Sequence, residues 1–289
     1  MIIVSGANGQ LGRMVVERLL ELMPAEQIGV SVRDPEKARD LGVRVRRGDF
    51  ADPASLAHAF EGASKVLVMS TDSVGATAVD HHRTAIKAAV AAGASRVLYT
   101  SHMGANPLSA FAPMPDHAAT EASLQDCGVP FTALRNGFYA STIPRLLSGA
   151  LQTGELIAPE DGPVAWTDHA DLASVTALAL TSDVLDGVTP ALTGTEAIDL
   201  ARVAELSDRP IRRVVVSDAD YRTHLVDRGV PEQAADMLVS LFVASRAGEF
   251  APADPTLATL LGRAPVSVAD VLKTVPTAPD SRRGQHGGS

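Results

Sequence analysis

Gly6, Gly9 and Gly12, three residues apart, separate an apolar run, Ile2-Ile3-Val4, from Leu11, Val15, Leu19 and Leu22, which recur at helical spacing. A buried strand, a glycine turn and a helix in that order make a cradle for a diphosphate. The first glycine turns the chain tightly and the second lets backbone approach the anion. The third lets helix pack on strand, and the helix N-terminal amides face the charge. Asn8, Gln10 and Leu11 complete the turn. Glycine turns also join strands to helices with no ligand, and this Gly-x-x-Gly-x-x-Gly spacing is shifted from the usual G-x-G-x-x-G fingerprint. The flanking strand and helix favour a dinucleotide site over a plain connection.

The next group is Val32-Arg33-Asp34-Pro35-Glu36-Lys37, at the end of a second apolar run from Ile28. At this place in dinucleotide sites an acidic residue hydrogen-bonds a ribose 2′-hydroxyl, whereas an arginine accommodates a 2′-phosphate. Arg33 therefore points to NADPH (NADP) as the cofactor. Lys37, one turn on, either adds a second positive charge or belongs with Asp34 and Glu36 to an ordinary solvated face.

Positioning those groups requires a parallel sheet, and the chain alternates strand and helix patterns accordingly. Residues 44–50, 65–71, 96–101 and 130–135 read as strands three to six, with helices at 84–92 and 118–126 before the last two. Asp34 and Asp52 each precede a proline and read as helix N-caps, while Gly42, Gly62 and Gly93 read as stops. Ligands of such sheets bind beyond the carboxyl ends of the strands, which aligns Asp49, Phe50, Ser70, Thr71, Ser101 and Asn136 on one rim. The fold class is α/β: a Rossmann-type doubly wound parallel sheet with a smaller C-terminal α/β substrate lobe. Residues 1–135 form the NADP(H)-binding domain, with 167–186 returning to it. Residues 136–166 and 187–276 form the smaller lobe, and 277–289, rich in glycine, read as a disordered tail.

The 289 residues are 46% hydrophobic, enough core for one large or two smaller domains. With 34 acidic against 25 basic residues the net charge is −9, which argues against a general nucleic-acid surface. No run is long and apolar enough to span a bilayer and no charged-then-apolar leader precedes the first strand. The expected location is cytoplasmic, with no membrane partner. The single Cys127 excludes an intramolecular disulfide and a multi-cysteine metal site, and its place before Gly128 suits a buried structural thiol. His81-His82 lack the spacing of a metal pair and read as solvent-exposed, so no metal is expected. Asp168 and Asp171 read as helix cap and first-turn residues, and Trp166 as part of the lobe's core or lid. A homodimer is left open, with no interface readable.

Taken together, Gly6-Ala7-Asn8-Gly9-Gln10-Leu11-Gly12, Val32-Arg33-Asp34-Pro35-Glu36-Lys37, Gly48-Asp49-Phe50, His117-Ala118-Ala119-Thr120-Glu121 and Leu134-Arg135-Asn136-Gly137-Phe138-Tyr139 carry a family resemblance. The chain resembles the NmrA-like branch of the atypical short-chain dehydrogenase/reductase superfamily, in its group of NADPH-dependent quinone oxidoreductases and triphenylmethane reductases. The likeness extends through Gly229-Val230-Pro231 and Leu260-Leu261-Gly262. It implies that Asp49 and Phe50 border adenine, that Met69, Ser70 and Thr71 line the ribose and pyrophosphate path, and that Tyr99, Thr100 and Ser101 approach the nicotinamide. It also implies an acceptor pocket bounded by His102, His117, Asn136, Phe138 and Tyr139 under the smaller lobe.

Typical short-chain dehydrogenases use a Tyr-x-x-x-Lys pair, whose lysine lowers the tyrosine pKa for proton exchange with a carbonyl or alcohol. Here Tyr99, Tyr139 and Tyr221 are followed four residues on by Met103, Ile143 and Leu225, so the pair is absent. Ala122 stands where the related quinone reductases often carry lysine. A quinone spreads incoming charge over a ring that becomes aromatic and needs less acid help than a ketone. The resulting reading is hydride transfer from NADPH to a small-molecule electron acceptor, quinone-like or conjugated, controlled mainly by positioning. His117, because histidine ordinarily titrates near neutral pH, and Tyr139 are the candidate catalytic residues; helix-start packing and aromatic packing are the structural alternatives. The competing reading is a non-catalytic NADP(H)-sensing regulator, which the missing tyrosine and lysine suit.

Overall fold

The structure, a computed structural model, describes residues 1–147 and 149–274. The expected tail at 277–289 lies outside them. Strand β1 (Ile2–Ser5) is buried throughout, as its unbroken apolar run requires of a strand covered on both faces. It feeds α1 (Gln10–Leu22), whose buried side is Leu11, Val15, Val16 and Leu19. After β2 (Ile28–Val32) comes a short 3-10 helix, Pro35–Leu41, capped by the Asp34 side chain on the Glu36 N–H and ended at Gly42. Then β3 (Arg44–Arg47), α2 (Pro53–Ala59), β4 (Lys65–Val68), α3 (Ala76–Ala91), β5 (Arg96–His102), α4 (Pro113–Gln125) and β6 (Phe131–Asn136) complete the alternation.

Next come β7 (Phe138–Tyr139), α5 (Ile143–Leu147), α6 (Ala150–Thr153), β8 (Glu155–Pro159), β9 (Trp166–Thr167), α7 (His169–Thr181) and β10 (Gly187–Val188). The chain finishes with α8 (Leu200–Leu206), β11 (Arg212–Val216), α9 (Asp218–Asp227), α10 (Glu232–Arg246), α11 (Thr256–Leu261) and α12 (Val268–Lys273).

The main sheet runs β10-β6-β5-β4-β1-β2-β3, all parallel. Strand order reverses at β1, between β2 and β4, and open α/β sheets hold their ligands at such a reversal, beyond the strand carboxyl ends. Alternate residues of each strand serve opposite faces. Val4, Val30, Leu67 and Leu98 join a core under α1, α7 and α11, while Ile3, Val66, Val68, Val97 and Tyr99 join a core under α2, α3 and α4. A third core, around Trp166, Val203, Phe242 and Phe250, fills the smaller lobe, which carries the β8–β11 and β7–β9 pairs.

Two segments assigned to the lobe from the sequence belong elsewhere. The sheet has seven strands rather than six, because β10 pairs with β6 through Gly187↔Thr132 and Val188↔Ala133. Helix α11 packs on α7, with Leu257 in the sheet-face core. A two-residue strand carries no periodicity, and the apolar residues of α11 suit either core. Strands β3 and β4 end sooner than expected, so Gly48–Phe50 and Met69–Thr71 leave the sheet to form rim loops. Helices α3 and α4 begin at Ala76 and Pro113, ahead of the expected 84 and 118. Among the described residues no helix is long and apolar enough to cross a membrane.

Candidate active site

A cleft of about 740 Å³ opens where the strand order reverses. At its floor Gly6 turns with φ +65° and accepts a hydrogen bond from the Gly9 N–H at 3.0 Å. A Cβ on Gly12 would lie 2.6 Å from the Gly6 carbonyl oxygen, so only glycine lets α1 start this close to β1. Gly9 is the N-cap of α1 and offers no side-chain cap, which leaves first-turn amides for an anion. Asn8, Gln10 and Leu11 line the cleft, and the Asn8 amide donates to the Asp34 carbonyl at 2.9 Å, tying the turn to the end of β2.

Arg33 and Lys37 stand at one end of the cleft. Arg33 is exposed and makes no hydrogen bond or ion pair among the described residues. Lys37 is 72% exposed and 3.7 Å from Asp34, so both readings of it coexist in one place. Arg13, nearby in sequence to the turn, is committed to Asp40 at 2.8 and 3.1 Å and to the Lys37 carbonyl.

Asp49, Phe50, Met69, Ser70 and Thr71 also line the cleft. Hydroxyls from neighbouring strands hold this rim: the Met69 N–H donates to Ser5 Oγ and the Ser70 N–H to Thr100 Oγ1, each at 2.8 Å. Ser31 Oγ, Thr71 Oγ1 and His169 Nδ1 border the cleft, buried and without a hydrogen-bond partner among the described residues. Buried polar atoms are ordinarily paired, so three orphans around one cleft fit a polar ligand that supplies the missing partners.

Tyr99, Thr100 and Ser101 do not line the cleft; all three are buried. The Tyr99 ring lies in the core under α3 and α4, and Thr100 reaches the rim only through Ser70. Ser101 Oγ donates at 2.6 Å to Glu121, whose carboxylate also accepts from Arg135 at 2.7 and 2.9 Å.

At the far end Tyr139 lines the cleft beside His169, their ring centroids 4.3 Å apart. His169 opens α7 just behind its N-cap Asp168, which accepts from the Ala170 N–H as its sequence position suggested. Sequence reasoning missed His169, and also His81, which lines the cleft, because nothing in local spacing marks a helix returning across it. The other acceptor candidates sit behind Tyr139 rather than on the cleft wall. His102 pairs with Asn136 across β5 and β6, and the Phe138 ring lies 5.3 Å from His102 and 5.4 Å from both Trp166 and Phe250. Asn136 is fully buried and its side-chain amide has no partner among the described residues.

His82 overturns the expectation of exposure: it is 2% exposed, accepts from the Thr71 N–H at 3.0 Å and lies 2.9 Å from Thr120 Oγ1. Helix α3 starts earlier than expected and so turns this residue inward. Tyr99 Oη lies 2.8 Å from His117 Nδ1. Desolvation holds His82, His102 and His117 down at about 3, well below the ordinary 6.5, and pushes the Tyr99 and Tyr139 phenols up. His117 is therefore a neutral imidazole at neutral pH, and a role resting on its ordinary titration range does not hold. Cys127 is half-buried rather than buried, its thiol directed at the Val129 carbonyl at 3.4 Å. Among the described residues no cluster of three or more His, Cys, Asp or Glu side chains is placed to hold a metal.

Residues 6–183 match the protein family described as NAD(P)H-binding. The chain belongs to that family. Quinone oxidoreductase 2 of Escherichia coli (strain K12) is 36% identical over 280 residues, covering 93% of this chain and 96% of that protein. The crystal structure of an NADPH-dependent quinone oxidoreductase from Escherichia coli complexed with NADPH superposes with a TM-score of 0.89 at 34% identity, covering 94% of this chain and 99% of the other. The Citrobacter sp. triphenylmethane reductase complexed with NADP(H) gives a TM-score of 0.87 at 31% identity, covering 96% and 100%. The glycine cradle, together with an Arg33 and hydroxyls that have no partner among the described residues, suits an NAD(P)H-binding family member at this cleft.

Proposed function

We propose that this protein is an NADPH-dependent oxidoreductase that reduces a quinone-like or conjugated small-molecule acceptor at the Tyr139–His169 end of the cleft. The observation that carries the reading is the polarity of that cleft: a glycine cradle and an arginine without a partner among the described residues at one end, the tilted Tyr139 and His169 rings at the other. Its likeness to a quinone oxidoreductase over nearly the whole chain supports the same chemistry.

Bound there, NADPH supplies a hydride. The Gly6–Gly12 turn and the α1 amides hold its diphosphate, Arg33 with Lys37 the adenosine phosphate, and Asp49 and Phe50 the adenine. Ser70 and Thr71 orient the ribose path, with Ser5 and Thr100 fixing their loop. Tyr139 and His169 wall the reacting end, with the Phe138 ring packed behind Tyr139 against His102, Trp166 and Phe250. Holding two reactants at attack distance contributes roughly 7–11 kcal/mol in favourable cases, so a site without a Tyr-x-x-x-Lys pair still accelerates reduction of an acceptor that delocalises charge. Water supplies the proton that completes the reduced acceptor.

The test is NADPH oxidation with a panel of quinones and conjugated carbonyls. The reading expects saturable turnover above the uncatalysed rate for at least one of them. Tight NADPH binding with no acceptor reduced would reinstate the sensor.

A further inference from the structure

Four backbone amides of the loop after β4 donate to four side chains, each on a different element. The Met69 N–H meets Ser5 Oγ of β1 and the Ser70 N–H meets Thr100 Oγ1 of β5, both at 2.8 Å. The Thr71 N–H meets His82 Nε2 of α3 at 3.0 Å, and the Gly75 N–H meets the Asp116 carboxylate of α4 at 2.6 Å. Met69, Ser70 and Thr71 line the cleft, whereas Gly75, His82 and Asp116 stand outside its wall. His82 and Asp116 are buried, and the hydride transfer described above makes no use of either.

The last two anchors converge on one turn of α4. A backbone N–H can only donate, so Nε2 of neutral His82 is bare and Nδ1 carries the proton, whichever neighbour receives it. Thr120 Oγ1 lies 2.9 Å from that Nδ1 and Tyr99 Oη 3.4 Å. The Thr120 hydroxyl in turn donates to the Asp116 carbonyl at 2.8 Å. Thr71 and Gly75 are thus tied to the same turn, one through His82 and one directly. That helix is itself held at both ends, with Met114 in the core of the smaller lobe and Leu124 in a core of the main sheet. Gly75 has φ +69° and ψ −151°, a state closed to residues with a Cβ, although a Cβ there would meet nothing within 4 Å. The direction of its N–H, and not a lack of space, requires glycine.

What the anchored loop offers the cleft is the Thr71 hydroxyl, buried and without a partner among the described residues. A hydroxyl whose main chain is fixed before a ligand arrives loses little freedom when it binds. We propose that His82 and Asp116 are positioning residues for the coenzyme: by holding the Thr71 and Gly75 amides they aim the Thr71 hydroxyl at bound NADPH. This rests on the coenzyme site of the reading above and is independent of the acceptor.

Titration calorimetry with NADPH tests it. Thr71→Val removes the hydroxyl and keeps the shape, and His82→Asn is too short to bring its amide oxygen to Thr71. Each should weaken NADPH roughly 3-fold to 10-fold. His82→Gln returns an oxygen near the Nε2 position and should stay within about 2-fold of the parent. The double variant Thr71→Val with His82→Asn should be no weaker than the more affected single one, because the anchor acts through that hydroxyl. Gly75→Ala, at an exposed position outside the cleft, should weaken NADPH by the same order, which a purely core-filling role for His82 does not predict. Losses that multiply in the double variant, equal affinity of the Gln and Asn variants, or parent-like affinity of Gly75→Ala each overturn the proposal while the reductase reading stands. Nitrogen-15 NMR of the parent protein reads the His82 proton without any variant. A protonated Nδ1 and a bare Nε2 are expected at about pH 7, and the reverse overturns the proposal. A parent protein that binds no NADPH overturns the coenzyme site itself, and the proposal with it.

Discussion

Replacing Arg33 with alanine should separate the two nicotinamide coenzymes. Arg33 stands at the cleft end with no ion pair to break among the described residues, whereas Lys37 is shared with Asp34 at 3.7 Å and Arg13 is held by Asp40. Of these three cations only Arg33 is free to meet a phosphate without losing a partner. Hydrogen bonds to charged groups are worth roughly 1.5–3 kcal/mol. Exposure and screening reduce that to about 1–2 kcal/mol here, or about 5-fold to 30-fold in Kd. Titration calorimetry with NADPH and NADH on parent and variant checks it. NADPH should weaken by that factor and NADH should stay within about 2-fold, with the NADPH effect shrinking as salt is raised. Equal weakening of both, or of neither, refutes the assignment of Arg33 to the phosphate.

Gly12→Ala forces a Cβ to within 2.6 Å of the Gly6 carbonyl oxygen, so α1 must shift and NADPH binding should be lost; calorimetry showing parent-like affinity would contradict the cradle. Arg135→Ala leaves the buried Glu121 carboxylate with only the Ser101 hydroxyl, and should destabilise the fold by roughly 2–4 kcal/mol in a denaturant titration. The folded values of His82, His102 and His117 near 3 lie below the ordinary 6.5, so between those values the unfolded chain binds more protons than the folded one. Their contribution to stability is therefore complete above about pH 6.5 and falls as pH drops toward 3, approaching about 1.4 kcal/mol per pH unit for each group. Denaturant midpoints that stay flat over that window would contradict their burial.

Much of the sheet was legible because a strand covered on both faces is mostly apolar, as Ile2–Val4 is and as Ile28, Val30 and Val32 make β2. The cradle was legible for a similar reason: close approach of α1 to β1 leaves glycine as the only residue that fits at position 12. Caps behaved as local chemistry, with Asp34, Asp52 and Asp168 each accepting from the backbone where expected. What failed depended on contacts distant in sequence. The inward turn of His82, the arrival of His169 at the cleft and the docking of α11 on α7 are set by packing between elements that share no sequence pattern. Tyr99 shows the same limit, since the family resemblance implied the nicotinamide side of the cleft while the pleat directs its ring into the core under α3 and α4. The titration of His117 was misjudged because desolvation belongs to the folded lobe and leaves no mark on residue type.

The central claim is hydride transfer from a coenzyme held in this cleft. Single-turnover mixing of the NADPH-loaded protein with a quinone tests it most directly, with coenzyme oxidation and hydroquinone formation followed together. The account predicts equimolar loss of NADPH and gain of hydroquinone, at a rate that saturates with quinone and exceeds the solution reaction. NADPH that stays bound and reduced at every quinone concentration would contradict it.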